Sequence, residues 1–363
     1  MLKNVCMVTG GTGGHIYPAL ALADEMRQAY RQVEISFIGN DDRMEKDLIP
    51  AAGYPFFGLH TSGLVGSFFD KAKAGAQMAA AFRKAKAYLK KQKPQIVIGF
   101  GGYVSAPVML AAQSLHIPTL IHEQNSIVGK ANKLAIKNAD AIVCCYENVI
   151  GQLGEQKTVL LGNPRATTAA KAKLDEDYYA SLGLSDTKKT ILIMMGSLGS
   201  SSVNELMRSA LKGIDEGLQF LYVCGKANDS NLDLFDGQEN IHVVPYVDTL
   251  KIYEKIDGMI CRAGATTLAE VCALGIPSIL IPSPYVANNH QFYNASQLVE
   301  KNAALMIEEK DLNAQSLKQA VQTLFMDEEK RESVSKAAKA MGKPDAANKI
   351  MELAESLCQK VDA

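Results

Sequence analysis

Little in this chain points to disulfide, structural-metal or nucleic-acid chemistry. Its seven cysteines form no Cys-x-x-Cys pair and no Cys/His cluster at metal spacing. An odd, scattered set, with Cys144 and Cys145 adjacent in an apolar run, fits buried thiols in a reducing compartment. The formal net charge is −1, so no global field draws the chain to nucleic acid. MLKN runs directly into a strand, and no signal peptide is expected. No spanning segment is expected either. Residues 96–112 carry no charge, but Gly99, Gly101, Gly102 and Pro107 interrupt them, and they read as strand, glycine loop and helix.

At 363 residues, with 47% hydrophobic and 21% charged, the chain is long enough for two globular α/β domains of similar size. Residues 258–295 organise the rest; they hold CRAGATTLAEVCALGIPSILIPSP and the polar run ANNHQFYNA. Met259, Ile260 and Cys261 end a short buried strand, and Gly264 makes the turn after it. Residues 266–274 have helical periodicity, with Leu268, Val271, Cys272 and Leu274 on one side. Gly275 takes the C′ position, Pro277 follows, and residues 278–281 start another strand. A glycine turn feeding a helix N-terminus is an anion site, because amide N–H groups and the positive dipole end both favour phosphate. Thr266 and Thr267 add hydroxyls there. Glu270, one turn on, has the reach to accept two hydrogen bonds from a ribose diol. The spacing fits a nucleoside diphosphate held at two points. The plainer alternative, equally open on these residues, is an ordinary strand–turn–helix with a solvated glutamate.

The first half opens the same way. Residues 5–8 read as a buried strand, residues 9–15 (TGGTGGH) as the loop after it, with Pro18 one or two residues into the following helix. Residues 33–38 give the next strand and a βαβ start. Gly11, Gly13 and Gly14 fit the dinucleotide fingerprint GxGxxG only in part, and Glu34 is a strained match for its ribose acid. Residues 96–98 lead into a second glycine loop, GFGGYVSAP. Residues 119–121 form a strand ending in His122, Glu123, Gln124 and Asn125, a polar cluster where parallel sheets place ligands. Strands at 141–144 and 159–161 follow, the latter running into Gly162, Asn163, Pro164 and Arg165. Residues 190–194 repeat the opening, with the loop GSLGSS before a helix from about Val203. Later strands fall at 221–224, 242–244 and 258–261. Helical pattern runs over 314–363, broken at Lys343, Pro344 and Asp345, which leaves a final helix free to cross elsewhere. Two doubly wound parallel-sheet halves facing across a cleft suit a sugar nucleotide and a phosphorylated acceptor better than one dinucleotide.

Residues 71–93 form a long helix with eight Lys or Arg and no acid. Gly75, Met78, Phe82, Ala85 and Leu89 make its apolar stripe. Arg83, Lys86, Lys90 and Lys93 flank one side, Lys73, Lys84 and Lys91 the other, and Phe68 and Phe69 precede it. The bland account is a core helix with a solvated basic face. The sharper one is peripheral contact with anionic lipid, favoured by the net acidity of the remaining chain.

Taken in order over essentially the whole length, TGGTGGHIYPALALA, DRMEKDLIP, SGL, GFGGYVSAPVMLAA, HEQNSIVGKANK, GNPR, GSLGSS and CRAGATTLAEVCALGIPSILIPSP with NNHQFYNA resemble the MurG family of GT-B glycosyltransferases, in glycosyltransferase family 28. Leu198 stands where many relatives have Gln, and His290-Gln291 where some carry Gln-Gln. The resemblance implies α/β architecture of the GT-B kind, with two Rossmann-like domains. These are an acceptor- and membrane-associating domain over 1–163 and a UDP-GlcNAc-binding domain over 164–340, with the helix over 341–363 crossing back to the first. It implies an inverting hexosyltransferase moving N-acetylglucosamine from UDP-GlcNAc to the MurNAc 4-hydroxyl of lipid I. The product, lipid II, serves peptidoglycan synthesis and hence cell-wall biogenesis, cell shape and division. The place of action is the cytoplasmic side of the bacterial membrane, with other cell-wall synthesis proteins as further partners.

The resemblance also implies roles. Glu270 takes the ribose diol; Ser197 and the amides of Ala265 and Thr266, after Gly264, take the diphosphate; the backbone of Val247 reads the uracil edge. Gln291, His290 and Asn125 contact the GlcNAc hydroxyls, and Arg165 stabilises charge on departing UDP. Thr12, Gly13 and Gly14 line the reaction centre and bind the donor there, and this loop with Gly101, Gly102 and Tyr103 takes the acceptor diphosphate. Phe68, Phe69, Met78 and Phe82 with Lys84, Lys86 and Lys90 match the family's membrane patch. For the base, His15 is the first choice, because a helix N-terminus disfavours the imidazolium; the alternative is that it caps the loop or binds phosphate. Glu123 is the second candidate. Asp175-Glu176-Asp177 has the Asp-x-Asp form of metal-dependent transferases, but acids at a helix start explain it better. UDP-GlcNAc is then a substrate, with no cofactor and no obligatory metal. Rival readings are a UDP-GlcNAc epimerase or hydrolase on the same scaffold, a Rossmann oxidoreductase, and a non-catalytic binding subunit.

Overall fold

The computed structural model describes residues 1–63, 67–195, 201–212, 214, 217–225, 235 and 237–362. The chain divides into two compact units, Met1–Thr167 with Asp345–Ala363, and Thr168–Pro344.

The first unit runs β1 (Asn4–Val8), α1 (Gly13–Ala29), β2 (Glu34–Asn40), α2 (Glu45–Ala51), β3 (Phe56–Leu59), α3 (Phe68–Gln92), β4 (Ile96–Gly99), α4 (Ser105–Ser114), β5 (Thr119–Glu123), α5 (Lys130–Ala135), β6 (Ala141–Cys144), α6 (Glu147–Leu153), β7 (Thr158–Leu160) and α7 (Pro164–Lys171), which leads into the second unit. The seven strands are parallel, in the order β3-β2-β1-β4-β5-β6-β7. Helices cover both faces of such a sheet, so its strands are apolar throughout; Val5, Cys6, Met7 and Val8 are all fully buried. Strand order reverses between β1 and β4, where Val5 pairs with Ile96 and Val8 with Gly99. The loops leaving these two carboxyl ends are therefore neighbours, the place where open α/β sheets bind ligands.

The second unit runs α8 (Glu176–Ser181), β8 (Lys189–Met194), α9 (Ser201–Ala210), β9 (Leu218–Val223), β10 (Ile241–Val244), β11 (Gly258–Cys261), α10 (Ala265–Leu274), β12 (Ser278–Leu280), α11 (His290–Val299), β13 (Leu305–Met306), α12 (Ala314–Val321) and α13 (Glu328–Met341). Its six parallel strands follow β10-β9-β8-β11-β12-β13. The reversal again falls between β8 and β11.

After the break at Lys343 and Pro344, α14 (Ala346–Asp362) packs on the first unit. Ala347, Ile350, Met351, Ala354 and Leu357 join the core built from Ile16, Leu22 and Met26 of α1 and from β1 and β4. Burying Ile350 and Leu357 stabilises the unit by roughly 1.5–3 kcal/mol each. The amide of Ala347 donates to Thr167 Oγ1 at 3.0 Å. The Met1 ammonium pairs with Glu355 at 3.3 Å, so both chain ends are tied to the same unit.

Three local expectations change. Helix α1 begins at Gly13, so Gly13, Gly14 and His15 form its first turn rather than a loop, and Pro18 is its sixth residue. That position is tolerable because the proline withholds an N–H only from the carbonyl of Gly14, at the helix start. Glu34 opens β2 on the exposed side, whereas a ribose acid belongs at the strand's carboxyl end; the dinucleotide reading loses its acid. Helix α3 starts at Phe68, with a capping box in which Ser67 and Asp70 serve each other's amides. Its buried face is Ala74, Ala81, Ala85 and Leu89, and Gly75 is exposed. Small alanines let α3 lie close against its neighbours, a preference that weighting by side-chain size conceals.

Candidate active site

The loop after β1 is shaped by a glutamate. Glu45, fully buried at the start of α2, accepts from Gly11 N at 3.3 and 3.2 Å and from Asn40 N at 3.0 Å. A buried carboxylate is tolerable only when hydrogen-bonded, and here amides at the ends of β1 and β2 supply the bonds. The close fit requires glycine: a Cβ on Gly10 would stand 2.4 Å from Glu45 Oε1. The motif DRMEKDLIP contains this residue, but nothing in its spacing announces a carboxylate beneath a glycine turn.

The second loop closes on the first. Gly101 and Gly102 both adopt positive φ, 102° and 88°. A Cβ on Gly102 would lie 2.2 Å from the carbonyl oxygen of Gly10. A Cβ on Gly101 would lie 2.8 Å from His15 Cδ2, 3.0 Å from its Nε2 and 3.7 Å from Gln124 Nε2. The ends of β1, β4 and β5 thus converge on the His15 imidazole, whose Nδ1 lies 3.2 Å from Thr12 Oγ1. Ser105 fixes the glycine pair from below, its hydroxyl donating to the Gly101 carbonyl at 2.6 Å. Tyr103 is half exposed, its ring lying over Gly63.

The polar end of β5 is buried. His122 Nε2 donates to the Gly162 carbonyl at 3.1 Å, and burial pushes this imidazole down to about 4, so it is neutral near pH 7. This bond positions the Gly162–Arg165 corner, where Asn163 Oδ1 accepts from the Arg165 amide at 3.0 Å. Arg165 belongs to the first unit. Glu123 is 1% exposed, and burial raises its pKa. Both of its oxygens are engaged, by Asn125 N at 3.1 Å, Gly129 N at 2.8 Å and Asn132 Nδ2 at 2.9 Å. The geometry makes Glu123 the organiser of the loop that carries Asn125.

In the second unit, Gly264 is the N-cap of α10 and Gly275, at φ 73°, ends it in the left-handed region. Ala265 and Thr266 lie in the first turn, at the carboxyl end of β11. Glu270 is not solvated: it is 4% exposed and accepts a hydrogen bond from Tyr253 Oη at 2.6 Å. The turn before α10 is held from two sides. Arg262 pairs with Glu309 at 2.6 Å and donates to the Ile281 carbonyl, and buried Asn294 donates to the Ala263 carbonyl at 3.3 Å. His290 and Gln291 open α11, after Asn288 and Asn289 at positive φ. Gln291 Oε1 accepts from Ser283 N at 2.9 Å, which leaves its amide group to donate. His290 Nδ1 donates to the Ala287 carbonyl at 2.8 Å, and burial lowers its pKa. Val247 is buried beyond the end of β10, beside exposed Tyr246. Ser197 and Leu198 lie outside the described residues.

Asp175 is the N-cap of α8, accepting from Tyr178 N at 3.0 Å and pairing with Lys251 at 2.8 Å. Helix capping therefore accounts for the Asp-x-Asp spelling. Among the described residues, Asp41, Asp42 and His60 bring potential metal-ligand atoms within 4.8 Å of one another. All three are exposed, and the imidazole pairs with the two carboxylates at 3.1 and 3.7 Å. On α3, Phe69 is 83% exposed, Lys84 and Lys90 are exposed, and Met78, Phe82 and Lys86 are half-buried. Phe82 packs against the core, with the Lys86 ammonium 5.8 Å from its ring. The side chain of Phe68 is outside the described set. Among the described residues, no helix is long and apolar enough to cross a membrane.

The profiles of the glycosyltransferase family 28 N-terminal and C-terminal domains match residues 5–144 and 190–350. The UDP-N-acetylglucosamine–N-acetylmuramyl-(pentapeptide) pyrophosphoryl-undecaprenol N-acetylglucosamine transferase of Listeria welshimeri is 40% identical, over 96% of this chain and 98% of its own. The Bacillus cytotoxicus protein of the same name is 38% identical over 97% and 98%. Among solved structures, Acinetobacter baumannii MurG superposes with a TM-score of 0.79 at 29% identity, covering 98% of this chain and 99% of that one. A structure titled as a UDP-N-acetylglucosamine 2-epimerase from Listeria monocytogenes gives 0.71 at 16% identity over 97% and 95%, a likeness of fold alone. Two parallel-sheet Rossmann-like units of the GT-B kind and near full-length identity lead to one conclusion: the chain belongs to glycosyltransferase family 28, within the MurG family of N-acetylglucosamine transferases.

Proposed function

We propose that this chain transfers N-acetylglucosamine from UDP-N-acetylglucosamine, with inversion, to the 4-hydroxyl of N-acetylmuramic acid in undecaprenyl-pyrophosphoryl-N-acetylmuramyl-pentapeptide. The product is lipid II, and the step belongs to peptidoglycan synthesis. The observation that carries this reading is identity of 38–40% over nearly the whole length to transferases bearing that name. The geometry supports the roles.

The acceptor hydroxyl must lose a proton as it attacks the anomeric carbon, and His15 is the base. In the tautomer whose Nδ1–H donates to Thr12 Oγ1, the lone pair lies on Nε2, the nitrogen beside Gly101 at the meeting of the two glycine loops. These loops, through Thr12, Gly13, Gly14, Gly101, Gly102 and Tyr103, hold the acceptor diphosphate. Glu123 positions Asn125, which with His290 and Gln291 binds the GlcNAc hydroxyls. In the second unit the amides of Ala265 and Thr266 and the positive end of α10 hold the donor diphosphate, with Ser197. Glu270 binds the ribose diol and the Val247 backbone the uracil edge. Arg165 stabilises charge on the departing UDP. Leaving-group stabilisation then rests on a helix end and side chains, and no metal is obligatory.

The experiment is transfer of radiolabelled GlcNAc from UDP-GlcNAc to a lipid I analogue, with and without EDTA. The expected result is labelled disaccharide-lipid in both arms. Donor breakdown that ignores the acceptor would move the assignment to an epimerase or hydrolase, and loss of product with EDTA would refute the metal-free mechanism.

Phe68, Phe69 and Met78, with Lys84, Lys86 and Lys90, bind the cytoplasmic face of an anionic membrane peripherally, where the lipid acceptor resides, while Phe82, packed on the core, anchors this face of α3. Exposed Phe69 and the basic outer face of α3 support this. Sedimentation with phosphatidylglycerol vesicles is expected to weaken with salt, each lysine contributing about 1 kcal/mol near the surface. The triple change Lys84→Glu, Lys86→Glu, Lys90→Glu then loses most of the bound fraction; unchanged sedimentation sinks the membrane reading.

A further inference from the structure

Glu270 has a buried partner that nothing above uses. Tyr253 opens a short 3-10 turn, Tyr253–Lys255, in the segment between β10 and β11. Its hydroxyl donates to Glu270 Oε2 at 2.6 Å, and the tyrosine and the carboxylate are 5% and 4% exposed. The same segment carries Val247. Asp248 then fixes it, its amide donating to Tyr178 Oη at 2.9 Å and its carboxylate accepting from Leu250 N at 3.3 Å. A few residues further on, β11 leads into α10. One short stretch of chain therefore joins the backbone beside the base, the hydroxyl on the ribose carboxylate, and the helix end beneath the diphosphate.

We infer that Tyr253 is a positioning residue for donor binding: by holding Glu270 Oε2 it orients the carboxylate toward the two ribose hydroxyls and so sets the enzyme's preference for a ribonucleotide donor. This rests on the ribose role of Glu270. A carboxylate on a flexible stem turns about its last torsion, and two diol bonds need one plane. A charge-assisted hydrogen bond from a buried phenol fixes that plane without occupying the diol. Tyrosine suits the task because its ring packs rigidly while its hydroxyl reaches the acid. Tyr253 also lines a cavity of about 630 Å³, with Leu274, Gly275, Pro277 and Arg331.

The test compares UDP with 2′-deoxy-UDP as competitive inhibitors of the full-length enzyme, for wild type, Tyr253→Phe and Glu270→Gln. Wild type is expected to prefer UDP, and Glu270→Gln to erase that preference. Tyr253→Phe is expected to narrow it by roughly 10-fold, the loss of one hydrogen bond to a charged group, and to raise KM for UDP-GlcNAc more than it lowers kcat. Erasure by Glu270→Gln with full preference kept in Tyr253→Phe would overturn the positioning role alone. Equal weakening of both inhibitors in Tyr253→Phe would overturn it too, as the mark of a merely structural residue. Preference intact in Glu270→Gln would overturn the ribose reading beneath it.

Discussion

Replacing His15 by alanine is expected to lower kcat for GlcNAc transfer by about 10²–10⁴-fold, the range that a positioned general base contributes. Affinity for UDP should change little, because Glu270, Val247 and the start of α10, proposed to hold the nucleotide, lie in the second unit. The variant should remain folded: His15 is half-buried in the first turn of α1, and its removal leaves the Glu45 bonds that shape the preceding turn. Steady-state rates over pH 5–9, with UDP affinity measured separately, check the assignment. A wild-type rate that falls on the acid side, an alanine variant without that limb, and unchanged UDP affinity are the expected pattern. A kcat within tenfold of wild type would leave His15 as a loop cap or phosphate ligand.

The other large effect falls on a residue with no side chain. Gly102→Ala is expected to destabilise the first unit by roughly 2–5 kcal/mol and to abolish measurable transfer. Two costs combine. The backbone at φ 88° is strained for an L side chain, and the new Cβ would sit 2.2 Å from the Gly10 carbonyl oxygen, which has no side-chain freedom with which to yield. Relief requires the two glycine loops to part, and that removes Gly101 from beside His15. Gly151→Ala in α6 is the comparison: an added Cβ there meets nothing within 4 Å, and alanine favours the helix. Urea midpoints for the two variants should move in opposite directions, with transfer retained only in Gly151→Ala.

The features most legible in the sequence were those written in local chemistry. Glycine loops after apolar runs marked the ends of β1, β4, β8 and β11, because a parallel sheet needs uninterrupted apolar strands and its ligand loops need glycine. Gly264 and Gly275 bracketed α10 for the same reason. Less legible was whatever tertiary partners decide. Glu45 and Tyr253 carry no spacing signal, since each meets its partner only after folding, across 34 residues for Gly11 and 17 for Glu270. The true start of α3 was written as Ser67-Phe-Phe-Asp70, a capping-box spelling that the run of lysines after it overshadowed. Its buried alanines were hidden because close helix packing selects small side chains where an apolar stripe suggests large ones. Strand β3, FFGL, is too short for any period to show.

The placement of α14 sets an order on the protein's own synthesis. A ribosome emits β1 long before Ile350 and Leu357, yet these side chains share one core. The second unit, lying wholly between them in sequence, has all its strands and helices in hand before the first unit can close. The earlier-made sheet therefore waits with the apolar faces of α1 and β4 uncovered through the translation of everything after Thr167. It completes its core only when α14 has been made and packs on α1, β1 and β4.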